Sequence, residues 1–276
     1  MLIDYHLHNH FSPDCEADTA SLLKEELGHG VRHVCFTNHA EWFEKKEEVA
    51  GVFIPLEAAT RFGEIQKELE AIRPQFPDMD IRFGAEVQYQ KQYMEDLAKF
   101  IEATPFDFIL GSVHIIDGIL ISGGRHAKEI FGVTSEETAY THYFDDMLKL
   151  VEWGHISAVA HFDICKKFGH QFYGPFKPEK YKPQILKILE TMKAKGIGIE
   201  LNAGSLHKNC KELFPHPQIL KWCLKVGIED FTFGSDAHEL KRAGTYLPEV
   251  LAIAKEVGIK TVSTYDQRKP TRHSIS

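Results

Sequence analysis

Short runs of apolar, β-branched residues alternate with longer amphipathic runs along this 276-residue chain. The pattern predicts strands at Leu2–Tyr5, His33–Thr37, Ile81–Val87, Phe108–Val113, Ile156–Ala160, Ile197–Leu201, Phe231–Gly234 and Lys260–Ser263. It predicts helices at Thr19–His29, Leu56–Arg73, Gln90–Ala103, Glu136–Trp153, Pro178–Lys195, His216–Val226 and Glu239–Val257. Because parallel strands need such crossover connections, we expect one closed or nearly closed α/β barrel, ahead of an open doubly wound sheet, in a single domain over residues 1–276.

Several of these boundaries carry local signals. Asp18 and Ser135 are suited to cap the first turns of two helices, and Pro55 suits a first helical turn. Glycines follow the predicted helix ends at Gly30, Gly154, Gly196 and Gly227. Two connections, Ala40–Ile54 and Ile115–Thr134, are longer than usual, which is typical of functional loops.

Composition excludes some classes of protein. The formal net charge is −8 and no run of five like charges occurs, so a nucleic-acid partner is not expected. The first residues lack a secretory signal and no apolar stretch is long enough for a membrane span, so we expect a cytoplasmic protein without a membrane partner. Five cysteines without a Cys-x-x-Cys pair are expected to be reduced and mostly buried.

The 16 histidines are an unusually large number, and several of them follow predicted strands together with acidic residues. The candidate ligands at or just after the strand ends are His6, His8, Asp14, His39, Glu86, His114, His161, Asp236 and His238. In a parallel barrel all carboxyl ends open on one face, so these distant residues can converge there. Imidazole and carboxylate without thiolate suit divalent zinc, manganese or iron, and nine ligands imply two or three ions.

A single histidine beside a strand is more often a packing residue than a ligand, so the metal prediction depends on the whole set. The histidines outside this register are interpreted as structural or surface residues: His29, His33, His142, His155, His170, His216 and His273. His10 is a candidate for contact with substrate or with the ligands.

The motifs at the strand ends resemble those of the PHP (polymerase and histidinol phosphatase) family over most of the chain. They are Asp4-x-His6-x-His8, His39, Gly84-x-Glu86, Ser112-Val113-His114, His161-x-Asp163 and Gly234-Ser235-Asp236-Ala237-His238. The resemblance implies a distorted (β/α)7 TIM-like barrel and three divalent metal ions. It implies one ion at His6, His8, Glu86 and Asp236, a second at Asp14, His39 and His238, and a third at Glu86, His114 and His161, with Glu86 bridging.

Longer segments resemble the histidinol-phosphate phosphatase branch of that family. They begin at Ser112, at Ala160 and at Glu200, although His207-Lys208 stands where an arginine is expected. The resemblance implies hydrolysis of L-histidinol phosphate in histidine biosynthesis, through a hydroxide that the metal ions generate. The expected partner is therefore a small-molecule phosphate monoester, and formation of a homo-oligomer stays open.

Residues other than the ligands are candidates for particular roles. Glu86, Asp236 and His238 are expected to act most directly in catalysis, with Asp236 as the first candidate to protonate the leaving alkoxide. Candidates for phosphate contact are Arg125, Lys167, Ser205, His207 and Arg242. Candidates for an acidic and aromatic rim around an imidazole and an ammonium group are Glu41, Trp42, Phe43 and Asp117.

Three other functions remain open at this stage. The first is a phosphoesterase of the same family that acts on another ester, such as a nucleotide or an oligonucleotide end. The second is a metal-dependent amidohydrolase, which is disfavoured because no lysine is evidently placed as a carbamate bridge. The third is a non-catalytic metal module, which the complete set of ligands disfavours.

Overall fold

The computed structural model describes residues 1–40, 55–124, 126–207 and 210–275. Its strands are β1 (Ile3–Leu7), β2 (His33–Phe36), β3 (His39–Ala40), β4 (Asp80–Gln88), β5 (Phe108–Ser112), β6 (Ile115–Ile116), β7 (Ile119–Leu120), β8 (Ala158–Val159), β9 (Gly198–Asn202), β10 (Phe231–Gly234), β11 (Thr261–Asp266) and β12 (Lys269–Ser274). Its α-helices are α1 (Thr19–Gly28), α2 (Pro55–Ile72), α3 (Met94–Ala103), α4 (Ala127–Phe131), α5 (Glu136–Trp153), α6 (Lys166–Tyr173), α7 (Lys182–Lys195), α8 (Pro217–Val226) and α9 (Leu247–Val257). Short 3₁₀ turns lie at Arg73–Gln75, Lys91–Tyr93, Pro178–Tyr181 and Leu240–Arg242.

Seven parallel strands of the described residues form a sheet in the order β1-β2-β4-β5-β8-β9-β10, and β3 pairs with β4. The two ends of this sheet meet just beyond β1 and β10. The Asp236 N–H donates to the carbonyl of His6 at 2.9 Å, and the His8 N–H donates to the carbonyl of Ala237 at 3.2 Å. The sheet is therefore a nearly closed parallel barrel, which confirms the predicted distorted (β/α)7 architecture.

The barrel strands are covered on both faces. Every residue of β1, β5 and β9 is buried, as expected for parallel strands whose crossover helices pack on the outside. The helices begin and end where local chemistry predicts. The Asp18 side chain accepts from the Ser21 N–H at 2.9 Å, and Gly154 ends α5 with a left-handed φ of 83°.

The strand predicted near the end of the chain, at Lys260–Ser263, lies outside the barrel. β11 pairs antiparallel with β12 and forms a separate hairpin. The Tyr265 N–H donates to the hydroxyl of Tyr5 at 3.1 Å, and the Arg268 N–H donates to the carbonyl of Asp107 at 2.8 Å. Because Asp107 directly precedes β5, the hairpin packs against the amino-terminal end of the barrel, away from the candidate ligands.

The connection Ile115–Thr134 has more regular structure than a long loop. It contains the antiparallel pair β6 and β7 and the short helix α4. A second short helix, α6, follows β8, although the sequence analysis predicts none there. The five cysteines have free thiols; Cys210 is half-buried and the others are buried, as expected. None of the described helices is both long and apolar enough to cross a membrane.

Candidate metal centre

The nine side chains predicted as metal ligands converge at the carboxyl end of the barrel. Each comes from the end of a strand or from the loop that follows it. Burial decreases from the floor of the site to its mouth. His6 and Glu86 are almost completely buried, His238 is 25% exposed and Asp14 is 42% exposed. The site is thus a deep funnel of imidazoles and carboxylates.

Glu86 lies at the centre of this funnel, and its two oxygens face different histidines. Oε1 is 2.9 Å from His161 Nε2 and 3.2 Å from His114 Nε2. Oε2 is 3.2 Å from His6 Nε2 and 3.0 Å from His39 Nδ1. A carboxylate in this position can bridge two cations, one on each oxygen.

Asp14 forms a second cluster at the mouth. Its Oδ2 is 3.2 Å from His238 Nε2 and 3.6 Å from His39 Nε2. The two imidazole nitrogens are 3.3 Å apart. The Asp14 loop and the segment after β10 therefore contribute ligand atoms to one position near solvent.

Two of the histidines have one ring nitrogen held by a polar partner. His6 Nδ1 donates to Glu200 Oε1 at 2.7 Å, and His8 Nδ1 donates to the hydroxyl of Ser12 at 3.0 Å. That hydroxyl in turn donates to Asn38 Oδ1 at 2.8 Å. With Nδ1 as the donor, the Nε2 lone pair of each ring is directed into the funnel. Sequence reasoning missed Ser12 and Glu200, although Glu200 carries the signal of a carboxylate near a strand end.

The buried polar atoms of the funnel fit a divalent cation. His6 Nε2, His8 Nε2 and Glu86 Oε2 are buried and form no hydrogen bond, although they lie close to one another. One ligand atom from each of these residues lies within 4.8 Å of the other two. Burying such atoms without a partner is unfavourable by about 1–3 kcal/mol each, and a cation would remove that penalty. Nitrogen and oxygen donors without thiolate suit zinc, manganese or iron.

Two of these ligands, His8 and Glu86, are held in the protonation state that binds metal even without a cation. Burial lowers the pKa of His8 well below its ordinary value, and His238 and His39 lower it further, so its ring is neutral. Burial would raise the pKa of Glu86, but the neighbouring His6 and other imidazoles outweigh this and lower the pKa well below its usual range. Neutral imidazole and ionised carboxylate are the forms that bind metal ions.

Asp236 is held as a carboxylate as well. Burial alone would raise the pKa of Asp236, but His6 and His238 lower it well below its usual range. Its Oδ1 is 3.6 Å from His6 Nε2 and 3.8 Å from His8 Nε2. This arrangement favours a ligand role for Asp236 over the proton-donor role that the sequence suggests.

A pair of buried carboxyl groups supports the floor of the funnel. Asp4 Oδ1 accepts from the N–H groups of His6 at 3.1 Å and Ser235 at 3.0 Å. Burial, followed by the adjacent Asp4, raises the pKa of Glu26 well above its ordinary value. Burial therefore favours the neutral form of Glu26, and Asp4 joins the backbone of β1 to the segment after β10.

A cavity of about 380 Å³ lies above the funnel. Its wall beyond the ligands includes Lys167, His207 and Arg242 as basic residues and Leu120 and Ile164 as apolar ones. The Lys167 ammonium donates to the carbonyl of Ser122 at 2.8 Å, which holds it on this wall. The structure therefore places three of the predicted phosphate-contact candidates beside the ligands.

The remaining candidates are placed differently. Ser205 is buried and donates its hydroxyl to the carbonyl of Glu212, so the structure does not place it on the cavity wall. Asp117 is exposed, pairs with His142 at 2.7 Å and does not line the cavity. Glu41, Trp42, Phe43, Arg125 and Lys208 lie outside the described residues.

Comparison with known protein families gives one match over most of the chain. The family model described as the PHP domain matches residues 4–204. A histidinol-phosphatase of Lactococcus lactis is 24% identical over 276 residues, covering 99% of this chain and 98% of the relative. A probable histidinol-phosphatase of Deinococcus radiodurans is 25% identical over 276 residues, covering 97% of this chain and 98% of the relative.

Solved structures show the same fold. The histidinol phosphate phosphatase of Lactococcus lactis, complexed with zinc, L-histidinol and phosphate, superposes with a TM-score of 0.82 at 24% identity over 98% of both chains. A putative histidinol phosphatase of Listeria monocytogenes superposes with a TM-score of 0.77 at 21% identity, over 88% of this chain and 98% of the other. Because the family model spans well over half of the sequence, the chain belongs to the PHP domain family.

Proposed function

We propose that this protein is a metal-dependent histidinol-phosphatase, which hydrolyses L-histidinol phosphate to L-histidinol and inorganic phosphate. The observation that carries the proposal is the position of Glu86, whose two oxygens face separate groups of histidines below the cavity. The relatives that match nearly the whole chain are histidinol-phosphatases by name, which supports the same substrate.

The proposed centre holds three divalent ions of zinc, manganese or iron. The first set of ligands is His6, His8, Glu86 and Asp236; the second is Asp14, His39 and His238; the third is Glu86, His114 and His161. When bound, such ions acidify water for attack on phosphorus and neutralise the phosphoryl oxygens. In support, the ligand atoms of His39, Glu86 and His114 and those of His8, His39 and His238 also cluster within 4.8 Å.

The cavity wall has complementary roles in the proposed reaction. Lys167, His207 and Arg242 provide positive charge and donors where the phosphate would enter, and phosphate oxygens bind such groups well. Leu120 and Ile164 provide an apolar surface for the carbon chain and ring of the substrate. The residues of the chain thus orient the ester so that its phosphorus faces the ligand funnel.

Arg242→Ala should lower kcat/KM for histidinol phosphate by about 10- to 100-fold, because a charge-assisted hydrogen bond contributes about 1.5–3 kcal/mol. The adjacent Lys241→Ala is a matched control, since Lys241 is exposed, pairs with Glu239 at 2.7 Å and does not line the cavity. Steady-state kinetics on both variants shows whether the loss of kcat/KM is specific to Arg242. Equal kcat/KM values for the two variants would remove Arg242 from the phosphate site.

The substrate and the metal requirement can be tested together. Protein that has been stripped with chelator should release no phosphate from histidinol phosphate, and Zn²⁺, Mn²⁺ or Fe²⁺ should restore the release. The restored protein should prefer histidinol phosphate over nucleoside phosphates, oligonucleotide ends and aryl phosphates by its kcat/KM. A higher kcat/KM for a nucleotide would show that the protein is a phosphoesterase with a substrate other than histidinol phosphate. Failure to release phosphate from any of these esters would contradict the proposed function.

A further inference from the structure

Glu200 is a buried carboxylate in the middle of β9 (Gly198–Asn202) that is not among the predicted ligands. We propose that Glu200 is a positioning residue that couples two ions of the centre, because one of its oxygens orients the ring of His6 and the other fixes the backbone of His161. The inference rests on the metal centre proposed above. Glu200 would position ligands of that centre without binding a metal ion itself.

The contact with His6 fixes which ring nitrogen can bind a cation. Glu200 Oε1 accepts from His6 Nδ1 at 2.7 Å, and His6 Nε2 lies 3.2 Å from Glu86 Oε2. A carboxylate that accepts from Nδ1 holds the proton there, leaves Nε2 as the ligand and makes the ring a stronger donor to metal. Glu200 thus supports the first of the proposed ion sites.

The contact with His161 supports another ion site through the main chain. Glu200 Oε2 accepts from the backbone N–H of His161 at 2.8 Å. His161 has a φ of 24°, a conformation that an L-residue keeps only when its surroundings hold it. In this conformation His161 Nε2 reaches Glu86 Oε1 at 2.9 Å, so the Glu200 carboxylate holds the third ligand set in register with the first.

Asn202 and Gly234 keep the Glu200 carboxylate in place. Asn202 Nδ2 lies 3.1 Å from both Glu200 oxygens, and Asn202 Oδ1 accepts from the Gly204 N–H at 2.8 Å. Gly234 lies against the carboxylate, and a Cβ at this position would collide with Glu200 Oε1 and with Cβ of His6. The chain therefore leaves room for the carboxylate between β9, β10 and β1 and braces it there.

Glu200→Gln is the sharpest test because it keeps the shape of the side chain and removes one acceptor. With its oxygen toward His6, the amide would direct its NH₂ at the His161 N–H, so two donors would face each other. In the flipped orientation the amide would donate to His6 Nδ1, and the ring proton would move to the ligand nitrogen Nε2. Neither orientation preserves both ligand sets.

The measurement is direct binding of Zn²⁺ to metal-free protein by competition with a chromophoric chelator, with the stoichiometry counted. We expect Glu200→Gln to raise the Kd of the two ions held by the first and third ligand sets by about 10- to 100-fold. The ion held by Asp14, His39 and His238 should keep its affinity, because Glu200 contacts none of these residues in the described structure. Gly234→Ala should weaken the same two ions, since it displaces the carboxylate.

Asp230→Asn is the matched control for loss of a buried carboxylate. Asp230 precedes β10 at the opposite end of the barrel and accepts from Ser263 at 2.8 Å and from Arg272 at 2.8 and 2.9 Å. It should lower the Tm of the metal-free protein and leave Zn²⁺ affinity unchanged.

Unchanged Zn²⁺ affinity in Glu200→Gln, or an equal loss of Zn²⁺ affinity in Asp230→Asn, would overturn the role of Glu200. The proposed metal centre itself would not be affected by either result. Failure of the unmutated protein to bind Zn²⁺ would overturn the centre itself.

Discussion

Glu86→Gln should lower kcat/KM for histidinol phosphate by about 10³-fold, the upper end of the range for loss of one preorganised electrostatic group. An amide has one acceptor oxygen and no charge, so it can face either His161 or His6 but cannot serve both sides. The variant should also bind fewer divalent ions per chain. Kinetics with metal-reconstituted protein, together with metal analysis after gel filtration, measures both effects.

The control for this variant is Glu190→Gln, which removes an exposed carboxylate on α7 far from the funnel. It should retain the kcat/KM and the metal content of the unmutated protein. If Glu86→Gln kept its metal content and lost less than about tenfold in kcat/KM, a central bridging role for Glu86 would be excluded.

Lys166→Met should lower the free energy of unfolding by about 3–5 kcal/mol, the range for removing one partner of a buried ion pair. Lys166 is completely buried, and its ammonium donates to Asp163 Oδ2 at 2.9 Å and to the carbonyl of Leu213 at 2.8 Å. Methionine fills similar space but leaves the Asp163 carboxylate without its charge partner. Urea unfolding of metal-free protein measures the loss.

The pH dependence of that loss follows from Asp163. Burial raises the pKa of Asp163, and Lys166 opposes this rise, so the substitution should raise the pKa further. When the pKa of an acid is higher in the folded than in the unfolded state, the free energy of unfolding decreases as the pH rises from the lower pKa to the higher one. The loss of stability in Lys166→Met should therefore shrink as pH falls toward the pKa of Asp163.

Two further variants make this stability prediction specific. Lys187→Met removes an exposed lysine of α7 and should change the free energy of unfolding by less than about 0.5 kcal/mol. Asp163→Asn combined with Lys166→Met should lose less than the sum of the two single changes, because the charges are partners. Strict additivity would show that the ion pair contributes nothing as a pair.

The barrel could be predicted because periodicity and strand-end chemistry are local signals. The terminal hairpin could not, because β12 is mostly exposed and polar and lacks an apolar alternation. Its turn also lacks the usual sequence signal: Gln267 and Arg268 adopt positive φ angles of 47° and 63°, which hairpin turns usually assign to asparagine or glycine. Contacts with Tyr5 and Asp107 stabilise this conformation.

The ligand register could be predicted for a similar reason, since each strand of a parallel barrel delivers its end to one face. The supporting residues depend on tertiary contacts and were missed. Ser12, four residues after His8, also donates to Asn38, which lies 26 positions further along the chain, and Glu200 meets His6 across 194 positions. The buried position of Ser205 was not foreseen either, because its hydroxyl has a backbone partner at Glu212 that the sequence does not signal.

The junction between the two ends of the sheet, after β1 and β10, forms the seam of the barrel. It shares residues with the ligand funnel. The main-chain bonds that join the sheet ends belong to His6, His8, Asp236 and Ala237. A partly unfolded chain in which β10 has not docked therefore lacks the ligands Asp236 and His238 as well as the seam. The complete set of nine proposed ligands thus forms only when the barrel closes between β1 and β10.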